Sequence, residues 1–200
     1  MTRTDCAKID LRDGDALIVV DVQNDFLSGG SLAVPDGDAV VPVLNGYMSA
    51  FDARHLPIYA TRDWHPGNHI SFKARGGPWP PHCVADTPGA AFAPALKLPT
   101  ATQVVSKAVT PDRDAYSGFE GTDLAARLRA QGARRLFIGG LATDYCVLNT
   151  VKDALKQGFE VQLLADAIRA VNVQPDDGHK AQTEMERLGA RPIRRDALAA

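Results

Sequence analysis

Residues 16–26 read Ala-Leu-Ile-Val-Val-Asp-Val-Gln-Asn-Asp-Phe. The run Ala16–Val20 is apolar without a break and ends in three β-branched residues. A short run of this kind between polar residues predicts a strand buried on both faces, closed here by the charge of Asp21. The same pattern recurs along the chain. Pro57–Thr61, Gln103–Ser106, Arg135–Gly139, Phe159–Leu164 and Arg191–Ile193 read as further strands. Longer amphipathic segments separate them. Val40–Ala53 carries Val40, Val43, Leu44, Tyr47 and Phe51 at helical spacing. Thr122 and Asp123 offer N-capping side chains to a helix reaching about Gln131, where Gly132 closes it. Asp144–Gln157 reads as a helix stopped by Gly158, and another runs from about Asp176 to Leu188. Buried strands alternating with helices predict an α/β three-layer sandwich around a mainly parallel sheet.

Gross composition narrows the class. The chain has 200 residues, enough for a single domain over 1–200 with a sizeable core. Apolar residues make up 45% and the formal net charge is −2, so neither a nucleic-acid nor a membrane partner is expected. The apolar runs are far too short to span a bilayer, and Asp10, Arg12, Asp13 and Asp15 precede the first of them, a pattern no signal peptide fits. Three cysteines, Cys6, Cys83 and Cys146, form no disulfide framework. Free thiols in a reducing cytoplasm are the expectation.

One segment breaks the alternation. Residues 62–102 hold seven prolines, three of the five histidines and both tryptophans, with little periodicity. A loop of that length in a compact domain points to function. Asp63 and His65 stand two apart just after the second strand, His69 follows, and Trp79-Pro80-Pro81-His82-Cys83 lies further on. An Asp/His/His donor set suits Zn(II) or Fe(II) with positions left open for water or substrate. Cys83 is read as packing beneath the loop, and His55 and His179 as structural or surface residues.

Ligands of an open parallel sheet sit beyond the carboxyl ends of its strands. Asp21 follows the first strand, Arg62-Asp63-Trp64-His65 the second, Lys107 the third, and Gly139-Gly140-Leu141-Ala142-Thr143-Asp144-Tyr145-Cys146 the fourth. Taken singly, such an Asp is an ordinary turn residue, a Cys an inert core residue, and a Lys solvated surface. Their common position gives them weight. A thiol is mostly protonated at neutral pH, and the start of a helix near Asp144 together with Lys107 would favour the thiolate. Asp21 would accept its proton and later deliver it to a leaving group.

At this point a family resemblance appears. The segments Val19–Phe26, Thr61–Pro66 with Asn68-His69, Gly77–Cys83, Lys107, Tyr116–Gly121 and Gly140–Val147 resemble, in order, those of the nicotinamidases, or pyrazinamidases, of the isochorismatase-like cysteine hydrolase superfamily. The resemblance runs from residue 16 to about residue 193. It implies a six-stranded sheet and a catalytic triad of Asp21, Lys107 and Cys146. It also implies one divalent metal, Zn or Fe(II) with Mn a third candidate, held by Asp63, His65 and His82 and completed by water. His69 matches a family histidine whose role as ligand varies. Phe26, Trp79 and Tyr116 match pocket positions, Tyr145 adjoins them, and a cis Leu141–Ala142 peptide is implied, with the Ala142 and Cys146 amides as oxyanion donors. The implied reaction is hydrolysis of nicotinamide to nicotinate and ammonia in NAD salvage, through a cysteine thioester, with pyrazinamide also accepted. A homo-oligomer is left open.

Competing readings are separable. Cysteine hydrolases of the same superfamily acting on carbamoyl or ureido substrates generally lack the metal set, and isochorismatase itself lacks the nucleophilic cysteine. A hydrolase in which the metal activates water would need metal for every amide. A non-catalytic scaffold sits poorly with a complete triad. A dinucleotide oxidoreductase would need a Gly-rich loop where Asp21-Val22-Gln23 stands.

Overall fold

A computed structural model describes residues 8–199. Six parallel strands lie in the order β3-β2-β1-β4-β5-β6, with β1 Asp15–Val20, β2 Ile58–Asp63, β3 Gln103–Lys107, β4 Arg135–Leu141, β5 Glu160–Arg169 and β6 Arg191–Ile193. Strand order reverses between β1 and β4, which places a crevice beyond their carboxyl ends.

The alternation within β1 explains the layers. Leu17 and Val19 face one side, where helix α1 (Val40–Asp52) packs Leu44, Tyr47 and Phe51 against them. Phe51 meets Phe137 of β4 edge-on at 5.1 Å between ring centres. Ala16, Ile18 and Val20 face the other side, against Leu124 and Leu128 of α2 (Leu124–Ala130), Val151 of α3 (Leu148–Lys156) and Met185 of α4 (Asp177–Arg187). The strand is therefore dry on both faces, as its unbroken apolar run predicts. At its start Asp15 takes a bidentate contact from Arg135, with both distances 2.7 Å.

Several bounds differ from the sequence reading. Asp63 and Lys107 are the last residues of their strands rather than the first of the loops. β5 runs on to Arg169, and its pairing with β4 is interrupted by an irregularity between Ile138 and Gly140. The predicted helix 144–157 opens as one wide π-type turn, Thr143–Val147, before α3 begins. At α2, Thr122 Oγ1 accepts from the Leu124 N–H at 3.3 Å, whereas Asp123 makes no cap and pairs with Arg127. Cys83 and Cys146 are free thiols, and Cys6 lies outside the described residues. Among those residues no helix is long and apolar enough to cross a membrane.

Candidate active site

The parallel register assembles the polar centre. Asp63 and Lys107 are paired positions on β2 and β3, so their side chains leave the sheet edge side by side. Asp21 follows β1 directly in the left-handed region, φ 49°, which turns its carboxylate toward them. Lys107 Nζ is hydrogen-bonded to Asp63 Oδ1, lies 3.0 Å from Asp21 Oδ2, donates to the Ala115 carbonyl at 3.1 Å and stands 3.5 Å from Cys146 Sγ. Thr61 Oγ1 donates to the other Asp21 oxygen at 2.6 Å. Donor atoms of Asp21, Asp63 and Cys146 all lie within 4.8 Å of one another. Asp21, Lys107 and Cys146, remote in sequence, thus share one buried point.

Electrostatics set the resting protonation. Burial raises the Asp21 carboxyl, Lys107 opposes that, and the net displacement is upward. Burial pushes Asp63 up too, but Lys107 and His65 reverse it and hold it below the ordinary carboxylate range. Burial disfavours the Lys107 ammonium, and Asp21 with Asp63 more than restores it. The Cys146 thiol is pushed well up by burial. Lys107 acts on it in the expected direction, but Asp21 and Asp63 add to the burial effect. In this closed cluster burial thus outweighs the nearby ammonium, and the balance at Cys146 favours the protonated thiol.

Asp63, His65 and His82 form a second group, with one donor atom from each within 4.8 Å of the others. Asp63 ends strand β2 and His65 follows it two residues on. A parallel bridge between His65 and Val84 folds the proline-rich segment back to bring His82 alongside. His82 Nδ1 bonds the Pro80 carbonyl at 2.8 Å and His65 Nδ1 the Ala108 carbonyl at 3.3 Å. A carbonyl only accepts, so both rings carry hydrogen on Nδ1, which leaves Nε2 as the atom each can turn to a metal. His65 Nε2 lies 3.6 Å from Asp63 Oδ2. Burial lowers the His82 pKa, which keeps that ring neutral. Two imidazoles and a carboxylate, with outer carbonyls orienting the rings, fit a divalent metal such as Zn(II). His69 is differently employed. Its Nδ1 meets Ser71 Oγ at 2.8 Å, its Nε2 donates to the Arg113 carbonyl at 3.1 Å, and its ring stacks on His65.

A cleft opens over both groups, floored by Cys146, Asp63 and His82. Phe26, Trp79, Tyr116 and Tyr145 supply aromatic walls, with Leu32, Val34 and Val171 beside them. Trp79 Nε1 donates to the Tyr116 hydroxyl at 3.0 Å and meets Tyr145 edge-on at 5.1 Å. Ala142 lines the rim next to the sulfur, and the Leu141–Ala142 peptide is cis. Every residue singled out in the sequence as catalytic, metal-holding or substrate-contacting borders this cleft or the polar centre beneath it. Thr61 was missed: a strand threonine is a common filler, and nothing in its local sequence shows that it faces Asp21.

Comparison with known proteins agrees with this geometry. The Isochorismatase domain family matches residues 15–197. The chain belongs to that family. Within the isochorismatase family it is 40% identical over 196 residues to the nicotinamidase of Escherichia coli, spanning 88% of this chain and 92% of that protein. The pyrazinamidase of Pyrococcus horikoshii, whose crystal structure was solved in complex with zinc, superposes with a TM-score of 0.87 at 52% identity, covering 90% of this chain and 99% of that one. The PnC1 protein of L. infantum, solved in complex with nicotinate, superposes with a TM-score of 0.89 at 39% identity, covering 96% and 99% respectively. This isochorismatase-family chain therefore shares its six-stranded α/β fold with those structures.

Proposed function

We propose that the chain is a nicotinamidase, an amidohydrolase that converts nicotinamide to nicotinate and ammonia and also accepts pyrazinamide. The observation that carries this reading is the meeting of Cys146 Sγ with the Asp21–Lys107 pair beneath an aromatic cleft that also holds the Asp63/His65/His82 donors. Aromatic walls suit a flat ring. The sulfur on the floor suits attack on a carboxamide carried by that ring.

In the reaction, Asp21 takes the thiol proton of Cys146 as sulfur bonds to the carboxamide carbon. Lys107 keeps the Asp21 carboxylate in place and offsets the buried negative charge. The Ala142 and Cys146 amides receive the developing oxyanion, a contribution of about 2.7–4 kcal/mol per donor in related acyl transfers. The C–N bond breaks as Asp21 returns the proton to nitrogen, and ammonia departs from a thioester. Water then attacks, Asp21 accepting its proton, and the acid leaves as sulfur recovers a proton. Asp63, His65 and His82 would hold a divalent metal, zinc or Fe(II) with Mn a third candidate, which when bound orients the ring by accepting its nitrogen. The raised thiol pKa suits this sequence, because the nucleophile is generated only when the base acts. The match over 15–197 supports one domain throughout, and the reaction fits a cytoplasmic enzyme of NAD salvage.

The deciding experiment is ammonia release from nicotinamide, pyrazinamide and benzamide, with elemental analysis of the purified protein. Turnover of the first two with bound divalent metal is the expected result. Failure to release ammonia from nicotinamide by metal-loaded enzyme would end the proposal.

A further inference from the structure

Three polar residues alternate just after β1, Asp21, Gln23 and Asp25, and the mechanism uses only the first. Gln23 is wholly buried. Its Nε2 donates to the Asp63 carbonyl at 2.7 Å and the Ala90 carbonyl at 2.9 Å, and its Oε1 accepts from the Asp63 N–H at 2.8 Å. Both amide hydrogens and the amide oxygen are thus engaged. The reason lies in the sheet. β1 pairs with β2 as far as Val20 and Thr61, then turns away at Asp21, and the Asp63 backbone extends past the end of its neighbour. A side-chain amide has the same donor and acceptor as a peptide group. Gln23 therefore supplies the missing rung and grips both backbone polar groups of Asp63.

Asp25 performs the matching task on the other arm. Its Oδ2 accepts from the Cys83 N–H at 2.7 Å and its Oδ1 from the Ser31 N–H at 3.3 Å. Cys83 follows His82 directly and has φ 45°, a region sparsely occupied by non-glycine residues. The fit around the carboxylate is close: a methyl group on Gly89 would lie 2.2 Å from Asp25 Oδ2.

We propose that Gln23 and Asp25 are positioning residues that preset the metal-donor group, Gln23 through the Asp63 backbone and Asp25 through the Cys83 amide beside His82. One turn after β1 then orders both halves of the site, with Asp21 in the acid–base cluster and its two alternate neighbours behind the metal donors. The inference rests on reading Asp63, His65 and His82 as a metal site.

Zinc affinity, measured on the metal-stripped full-length protein by competition with a chromogenic chelator, tests it apart from activity. Gln23→Met keeps side-chain length and removes all three hydrogen bonds; Asp25→Ala removes the other grip. Each should weaken Zn(II) binding about 10- to 100-fold. Asp25→Asn, which keeps an acceptor oxygen, should bind more tightly than Asp25→Ala. Phe51→Leu, a core change on α1, should lower Tm and leave zinc affinity at the wild-type value. Wild-type affinity in both Gln23→Met and Asp25→Ala would overturn the inference alone, and if Gln23→Met does not fold, the two Asp25 variants decide. A wild-type protein with no affinity for zinc would overturn both the inference and the metal site.

Discussion

Lys107 Nζ stands between two carboxylates, hydrogen-bonded to Asp63, its register partner across β2 and β3, and 3.0 Å from Asp21 at the end of β1. All three groups are buried, with Asp21 at 0% and Lys107 at 1% exposure. The lysine thus neutralises a charge that has no access to water, and its ammonium also faces the Cys146 sulfur.

Removing that cation should be costly in two ways. Lys107→Met leaves two buried carboxylates facing each other and should lower stability by about 3–5 kcal/mol. It should also abolish turnover even where the protein stays folded. Urea unfolding with an ammonia assay checks both, and a variant as stable as wild type would contradict the assigned role.

Cys146→Ala removes the sulfur and leaves the Asp63, His65 and His82 donors untouched. Ammonia release should fall to background while metal content stays near the wild-type value by elemental analysis. Normal turnover by this variant would exclude the thioester route.

Stripping the metal with a chelator should raise KM for nicotinamide and pyrazinamide, and added Zn(II) should restore it. His82→Ala should show the same defect without restoration at stoichiometric zinc. Benzamide, without a ring nitrogen, should be a poor substrate in the presence or absence of metal. An equal loss for benzamide and nicotinamide on stripping would instead indicate a metal that activates water.

Gly140 lies on β4 at φ 132°, and a Cβ there would sit 2.1 Å from the Val20 carbonyl oxygen. The obstacle is backbone of the central strand, so it has little room to yield. Gly140→Ala should cost at least about 3 kcal/mol in chemical unfolding. A variant with unchanged stability would show that β1 and β4 approach less closely than described.

Much of this was legible in residue order. The dry strand β1 and the three-layer arrangement follow from Ala16–Val20, because a central parallel strand leaves polar side chains nowhere to go. The strand ends were legible too, since a charge that follows an apolar run marks the edge where the crevice lies. Other features depend on tertiary contacts. The far half of β5 carries Asp166, whose carboxylate is accepted into the fold because Tyr47 donates to it at 3.0 Å and the Arg195 N–H at 2.8 Å, and no local pattern announces that. The distance between His65 and His82 along the chain says nothing of the bridge that brings them together. The state of the Cys146 thiol is likewise set in three dimensions, where burial and two carboxylates outweigh the one ammonium beside it.

The reversal of strand order between β1 and β4 also divides the reagents by origin. The Asp21 carboxylate, the Lys107 ammonium and all the candidate metal donors come from residues before 108, while the Cys146 sulfur and the cis-peptide rim come from residues after 140. The loops on each side can accordingly change while the strand ends keep Asp21 and Lys107 beside Cys146. Altered loops on the β2–β3 side would redirect which molecules are held, and the attacking group would arrive from across the seam unchanged.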